Sequence, residues 1–135
     1  MIQDPWFYAV AIPAVILTGI SKAGLGIADF IDHFIDDRAT RSIVVYIEEA
    51  RKPAELLASI RRAREAGKPV VLMHPGRSER ANAAVTSHTG ALAGNHAVMR
   101  TMLTNAGAIV VDTLDELIDV AELVARTPKL PTKGP

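Results

Sequence analysis

The sequence predicts an open α/β fold, a parallel sheet with helices on both faces. Three observations carry this. Short runs such as SIVVYI (residues 42–47) and the PVVLM of 69–73 are apolar almost throughout, as strands buried on both faces are. Amphipathic helical patterns lie between these runs, and the two kinds alternate along the chain. The chain has 135 residues, 49% hydrophobic and 22% charged, the size and make-up of one globular domain with one core.

The elements follow in order. Ile27, Phe30, Ile31, Phe34 and Ile35 recur at helical spacing and form one face, and the strand 42–47 comes next. Pro53 suits the first turn of a helix, which needs no amide hydrogen there; the helix runs over 53–66 with Leu56, Leu57, Ile60 and Ala63 inward, until Gly67 stops it. The strand 69–73 follows, then a helix marked by Val98, Met99, Met102 and Leu103, with the methionines as core filler. Ala108–Val111 is a further strand. Thr113 and Glu116 form a capping box for a last helix through Leu117, Ile118, Ala121 and Val124. The expected sheet thus has about three to four strands by this element count. Right-handed crossovers place every loop leaving a strand C-terminus on one edge, where ligands bind, and make 69–73 the neighbour of 43–47.

The two ends read differently. Pro5–Ser21 carries no charge, but Pro13 interrupts it and it is short for a spanning helix, and Asp4 stands where a secretory signal wants a basic residue. A membrane segment over 5–21 and a buried strand-rich segment are both open. Past Thr127, PKLPTKGP reads as a Pro-rich tail or linker over 128–135.

Composition narrows the function. Lys+Arg and Asp+Glu are equal at 15 each, and no basic stripe with interleaved aromatics is present, so no nucleic acid partner is expected. There is no cysteine, which removes disulfides, thiolate nucleophiles and Cys-based zinc sites and fits a cytoplasmic setting.

The chemistry concentrates in SHTGALAG, Ser87–Gly94, between a basic loop and a helical pattern. An imidazole nitrogen can attack a phosphoryl or acyl centre when a carboxylate holds its other nitrogen. His88 is that imidazole, and Glu48, directly after the strand 43–47 on the same predicted edge, is the carboxylate. A Gly-rich loop running into a helix N-terminus near Asn95 offers amides to a phosphate, with Arg77 and Arg80 adding charge. The alternative is a solvated or hydrogen-bonded turn histidine. Other constellations are weaker. His74, His88 and His96 match no metal-ligand spacing and lack a completing carboxylate, so no metal site is expected. Helix packing accounts for His33. Asp36, Asp37 and Arg38 read as a solvated turn, and GLG at 24–26 is too little for a dinucleotide fingerprint.

The stretches GIADFIDHF, SIVVYIEE, GKPVVLMHPGRSERA, SHTGALAGNHAVMR and DTLDELIDV closely resemble the second, succinyl-CoA-ligase-like flavodoxin domain of the NDP-forming acyl-CoA synthetases. The resemblance covers residues from about 27 to 131, places the domain itself at 27–127 and implies a flavodoxin-like fold. It also implies that His88 is phosphorylated by an acyl phosphate and passes the phosphoryl group to ADP or GDP. Glu48 would steady the ring, with Ser87, Thr89, Gly90 and Arg77 at the phosphate. The family uses CoA, ATP or ADP and Mg, none of them expected to bind this fragment alone. An ATP-grasp domain or subunit and a CoA-binding domain are the partners implied.

The chain departs from that pattern at its start. Complete members place before residue 27 a CoA-binding Rossmann domain, then a strand, a Ser-Gly turn, a helix and a second strand; none of these is legible here, so the domain is expected to be incomplete. Residues 4–26 instead resemble the first membrane segment of the sulfite/anion exporter family, which makes 1–26 an apolar segment of different origin. An incomplete sheet exposes an edge, unless the segment 7–20 supplies a substitute strand. Two function classes follow: a phosphohistidine-bearing fragment of an acyl-CoA synthetase, incompetent alone, or a non-catalytic remnant or interaction module, soluble or tethered to a membrane through 5–21.

Overall fold

The computed structural model describes residues 14–16, 26–47, 50, 52–75 and 96–127, the first three by their backbone. In chain order these form β1 (Ala14–Ile16), α1 (Ile27–Asp36), β2 (Ile43–Tyr46), α2 (Pro53–Glu65), β3 (Val70–Met73), α3 (His96–Ala106), β4 (Ile109–Val111) and α4 (Leu114–Arg126). The strands make one four-stranded sheet in the order β1-β2-β3-β4. Every pairing is parallel, with Val45 opposite Val15 and Leu72, and Leu72 opposite Val110. The open parallel α/β architecture expected from the alternation is therefore the one observed. β1 comes from the apolar segment 7–20, so that segment does lend the sheet a strand.

Strand alternation sorts the core into two layers. Ile43, Val45 and Ile47 on β2 and its end, with Val70 and Leu72 on β3, pack under Ile31 of α1, Leu56, Leu57, Ile60 and Ala63 of α2, and Leu103 and Ala106 of α3. Val44, Val71 and Val111 point the other way, against Leu117, Ala121 and Val124 of α4. Among the described residues, α1, α2 and α3 cover one face and α4 the other. Met102, expected as core filler, is exposed, as are Val98 and Ile118, which mark the same helical patterns. Each stands one position off the buried stripe, since Met99, Leu103, Leu117 and Ala121 already fill the contact with the sheet.

Helix ends are set locally. Pro53 sits in the first turn of α2. Gly67 ends that helix with φ of 74°; its amide bonds Arg64 O at 3.0 Å and the Lys68 amide bonds Ala63 O at 2.9 Å, the paired closure a left-handed residue permits. Gly107 closes α3 the same way, with bonds to Thr104 O and Leu103 O. At α4, Thr113 Oγ1 accepts from the Glu116 amide at 3.1 Å as the capping box requires. The Glu116 carboxylate reaches one residue further back than that motif specifies, to the Asp112 amide at 2.8 Å.

The turn after α1 differs from the solvated turn expected. Asp36 and Arg38 are exposed, but Asp37 accepts from Thr40 Oγ1 at 2.6 Å and from the Ala39 amide at 3.1 Å. These bonds hold its carboxyl below the ordinary carboxylate value. Thr40, at 3% exposure, is buried by the same arrangement.

Candidate functional site

In an open parallel sheet the strand C-termini share one edge, and the exits of β2 and β3 lie there as neighbours. β2 ends at Tyr46 and β3 at Met73, which are opposite one another, and the Ile47 amide donates to Met73 O at 3.0 Å. The two chains therefore leave the sheet side by side. Glu48 follows Ile47 in sequence, and Pro75 precedes the segment that holds Arg77 and His88. Glu48, Arg77, Arg80, Ser87, His88, Thr89, Gly90 and Asn95 all lie outside the described residues.

Two histidines that the sequence reading had grouped with His88 do come together at this edge. His74 ends the exit from β3 and His96 opens α3. Their ring centroids are 5.3 Å apart, tilted by 33°. His96 Nε2 lies 3.2 Å from the His74 carbonyl oxygen; a carbonyl can only accept, so that nitrogen carries the hydrogen. His74 Nδ1 is sealed from solvent with no partner among the described residues. Burial, and then the neighbouring His96, push the His74 ring below the ordinary histidine value. Their separation of 22 positions has no helical or strand periodicity, so pattern reading had no means of pairing them. The one available signal is positional: one ends a strand and the other starts the next helix. Among the described residues no three His, Asp or Glu side chains could hold a metal.

Arg100, one turn into α3, spans to the end of β4. Its guanidinium donates to Asp112 Oδ1 at 2.8 Å and to Val110 O at 3.1 Å, so it fixes α3 against the edge strand. Sequence reading missed it too, because the partners lie on different elements.

A parallel α/β sheet whose strand exits share one edge and whose helices cover both faces is the architecture of the flavodoxin-like fold class. Comparison with known families gives the finer assignment. The family model of the succinyl-CoA ligase like flavodoxin domain matches residues 9–124, and the chain belongs to that family. It is 42% identical over 111 residues to a trans-feruloyl-CoA synthase of an unknown prokaryotic organism, 82% of this chain and 16% of that protein. An ADP-forming 4-hydroxybutyrate–CoA ligase of Nitrosopumilus maritimus is 32% identical over 135 residues, 99% of this chain and 19% of the ligase. The alpha subunit of an ADP-forming acetate–CoA ligase of Pyrococcus furiosus is 32% identical over 123 residues, 89% of this chain and 26% of the subunit. The fold is also that of a dinucleotide-forming acetyl-coenzyme A synthetase from Ca. Korarchaeum cryptofilum, solved with phosphate and ADP, at a TM-score of 0.71 and 24% identity over 77% of this chain and 23% of that one.

The chain thus corresponds to one domain of such synthetases and spans between 16% and 26% of the length of these curated relatives. The family match reaches back to residue 9, and among the described residues no helix is long and apolar enough to cross a membrane. The resemblance of residues 4–26 to an exporter's membrane segment, and with it a membrane attachment through 5–21, gains no support.

Proposed function

We propose that this chain is the phosphohistidine domain of an NDP-forming acyl-CoA synthetase, with His88 as the phosphoryl carrier. The observation that carries the reading is the family match over 9–124, which takes in the whole of Ser87–Gly94. The parallel exits of β2 and β3 support it, because they bring the backbone before Glu48 beside the backbone that leads toward the histidine loop.

In this reading a neutral ring nitrogen of His88 attacks the phosphorus of an acyl phosphate. The N–P bond forms as the P–O bond to the acyl group breaks, and the carboxylate leaves with that electron pair. The other ring nitrogen keeps its hydrogen and donates it to Glu48, which steadies the positive charge on the ring. A terminal oxygen of ADP or GDP then attacks the same phosphorus, and the ring nitrogen leaves with its electron pair restored. Ser87, Thr89, Gly90 and Arg77 bind the phosphate oxygens by hydrogen bonds and charge. CoA and nucleotide are substrates brought by a CoA-binding domain and an ATP-grasp domain or subunit. Mg accompanies the nucleotide there, and no step is assigned to a metal held by this chain.

The test is to incubate the purified chain with an ATP-grasp partner and ATP labelled on its terminal phosphate. Acid-labile, base-stable label is expected on the wild-type chain and absent from His88→Asn. A wild-type chain that stays unlabelled beside a partner that labels its own cognate domain would leave a non-catalytic interaction module.

A further inference from the structure

The edge of the sheet holds one cluster that the proposed chemistry does not use. His74 and His96 belong to two different elements, yet their rings are neighbours and one hydrogen bond runs directly between the elements they end and begin. We propose that this pair is a proton-sensitive clasp that holds the start of α3 to the end of β3 when both rings are neutral and releases it when His74 takes up a proton.

Three features of the geometry support the clasp. The His96 Nε2 hydrogen is committed to the His74 carbonyl, so the contact is a defined bond between a strand end and a helix start. His74 Nδ1 is buried and has no acceptor among the described residues, so a proton placed there would be desolvated and unpaired. A second charge on His96 would stand at a centroid distance of 5.3 Å.

The surroundings offer no compensation among the described residues. Among the described residues, His96 is the titratable group whose charge acts on the His74 ring. Arg100, further along α3, is bonded to Asp112 at the end of β4.

The sign follows from linkage. The closed state holds His74 below its ordinary value of 6.5, whereas an opened ring titrates near that value. The clasp is therefore whole above that pH and loosens as pH falls below it, until the closed ring is itself protonated. Each unit of depression corresponds to about a tenfold fall in the ratio of closed to open forms.

The test uses the full chain. Proton NMR of the histidine Cε1–H signals follows both titrations, while normalised amide-exchange protection at residues 100–103 reports the start of α3. Expected are a His74 midpoint below 6.5 and a fall in protection between about pH 7 and about pH 5 that is larger than in His74→Phe, which keeps a ring but cannot titrate. His96→Gln keeps a donor for the carbonyl without the charge and should raise the His74 midpoint. A wild-type midpoint at or above 6.5, or an equal loss of protection in His74→Phe, overturns the clasp. Should His74→Phe fail to fold, the wild-type titration decides alone.

Discussion

Ser42 Oγ donates to the main-chain carbonyl of Ala121 across 3.3 Å, although the two residues are 79 positions apart. Both ends of the bond are buried, and it ties the start of β2 to the middle of α4, the helix that covers the second face of the sheet. Ser42→Ala removes this donor but leaves the carbonyl within a helical ladder. The expected loss is about 0.5–1.5 kcal/mol in a denaturant melt, with the slope unchanged.

Lys68 works at the opposite layer. Its Nζ donates to Phe34 O at 2.8 Å and also to the Asp37 carbonyl, both at the C-terminal end of α1, where carbonyls have no helical partner. A cation at this end also complements the helix dipole. Lys68→Met retains the stem and loses the donors, so α1 should fray; a drop of about 1–3 kcal/mol is expected from a half-buried charged donor. Exchange protection should fall in residues 33–37 more than in α2 if this account holds.

Gly67 and Gly107 close their helices with the same bond pattern, yet alanine should affect them differently. At Gly67 the φ of 74° lies in the left-handed region and a Cβ would meet open space. At Gly107 the φ is 106°, and a Cβ would collide with the Arg64 Cδ. Gly67→Ala is expected to cost about 1 kcal/mol, and Gly107→Ala about 1–2 kcal/mol more, because the Arg64 side chain must also move. Equal melting points for the two variants would contradict this.

Asp37 gives an acid-side prediction. Its carboxyl is held below 3.8 first by the Thr40 hydroxyl and then by the Ala39 amide. A depressed carboxylate contributes stability that is present above its ordinary value and is lost as pH falls through its folded value. Thr40→Val removes the larger cause at nearly constant shape. Carbon NMR of the Asp37 carboxyl should then show a midpoint moved up toward 3.8, with the acid limb of the stability curve shallower.

The strands were legible because a run such as Ser42–Ile47 satisfies both faces of a sheet at once, and the helices because Ile31 or Leu103 falls on a 3.6-residue stripe. Gly67 and Thr113 were legible because capping is local chemistry. Ser42, Lys68, Arg100 and the His74–His96 pair were not, since each acts between elements far apart in sequence, and periodicity carries no information about such pairs. The segment 7–20 admitted two readings from hydropathy alone, and only backbone pairing of Ala14–Ile16 with β2 distinguished a strand. His88 and Glu48 were singled out by motif and by position after a strand, and they lie outside the described residues.

The last prediction separates support of the His88 ring from support of the fold. If Glu48 accepts the hydrogen of the non-reacting nitrogen, Glu48→Gln exchanges a charge-assisted bond for a neutral one at the same size. Labelling of His88 should slow by an amount corresponding to about 1–3 kcal/mol, while His88→Asn abolishes it. Neither substitution should shift the melting transition by more than about 1 kcal/mol, the range usual for surface substitutions, if both side chains serve the phosphoryl chemistry rather than the core. Glu49→Gln serves as the register control: as the neighbouring carboxylate it should leave labelling unchanged, and a larger loss there than at Glu48 would move the role to it. The purified chain alone, in all four forms, should show no CoA-dependent turnover if, as proposed above, CoA and nucleotide arrive with partner domains; measurable turnover by the chain alone would overturn that division of labour.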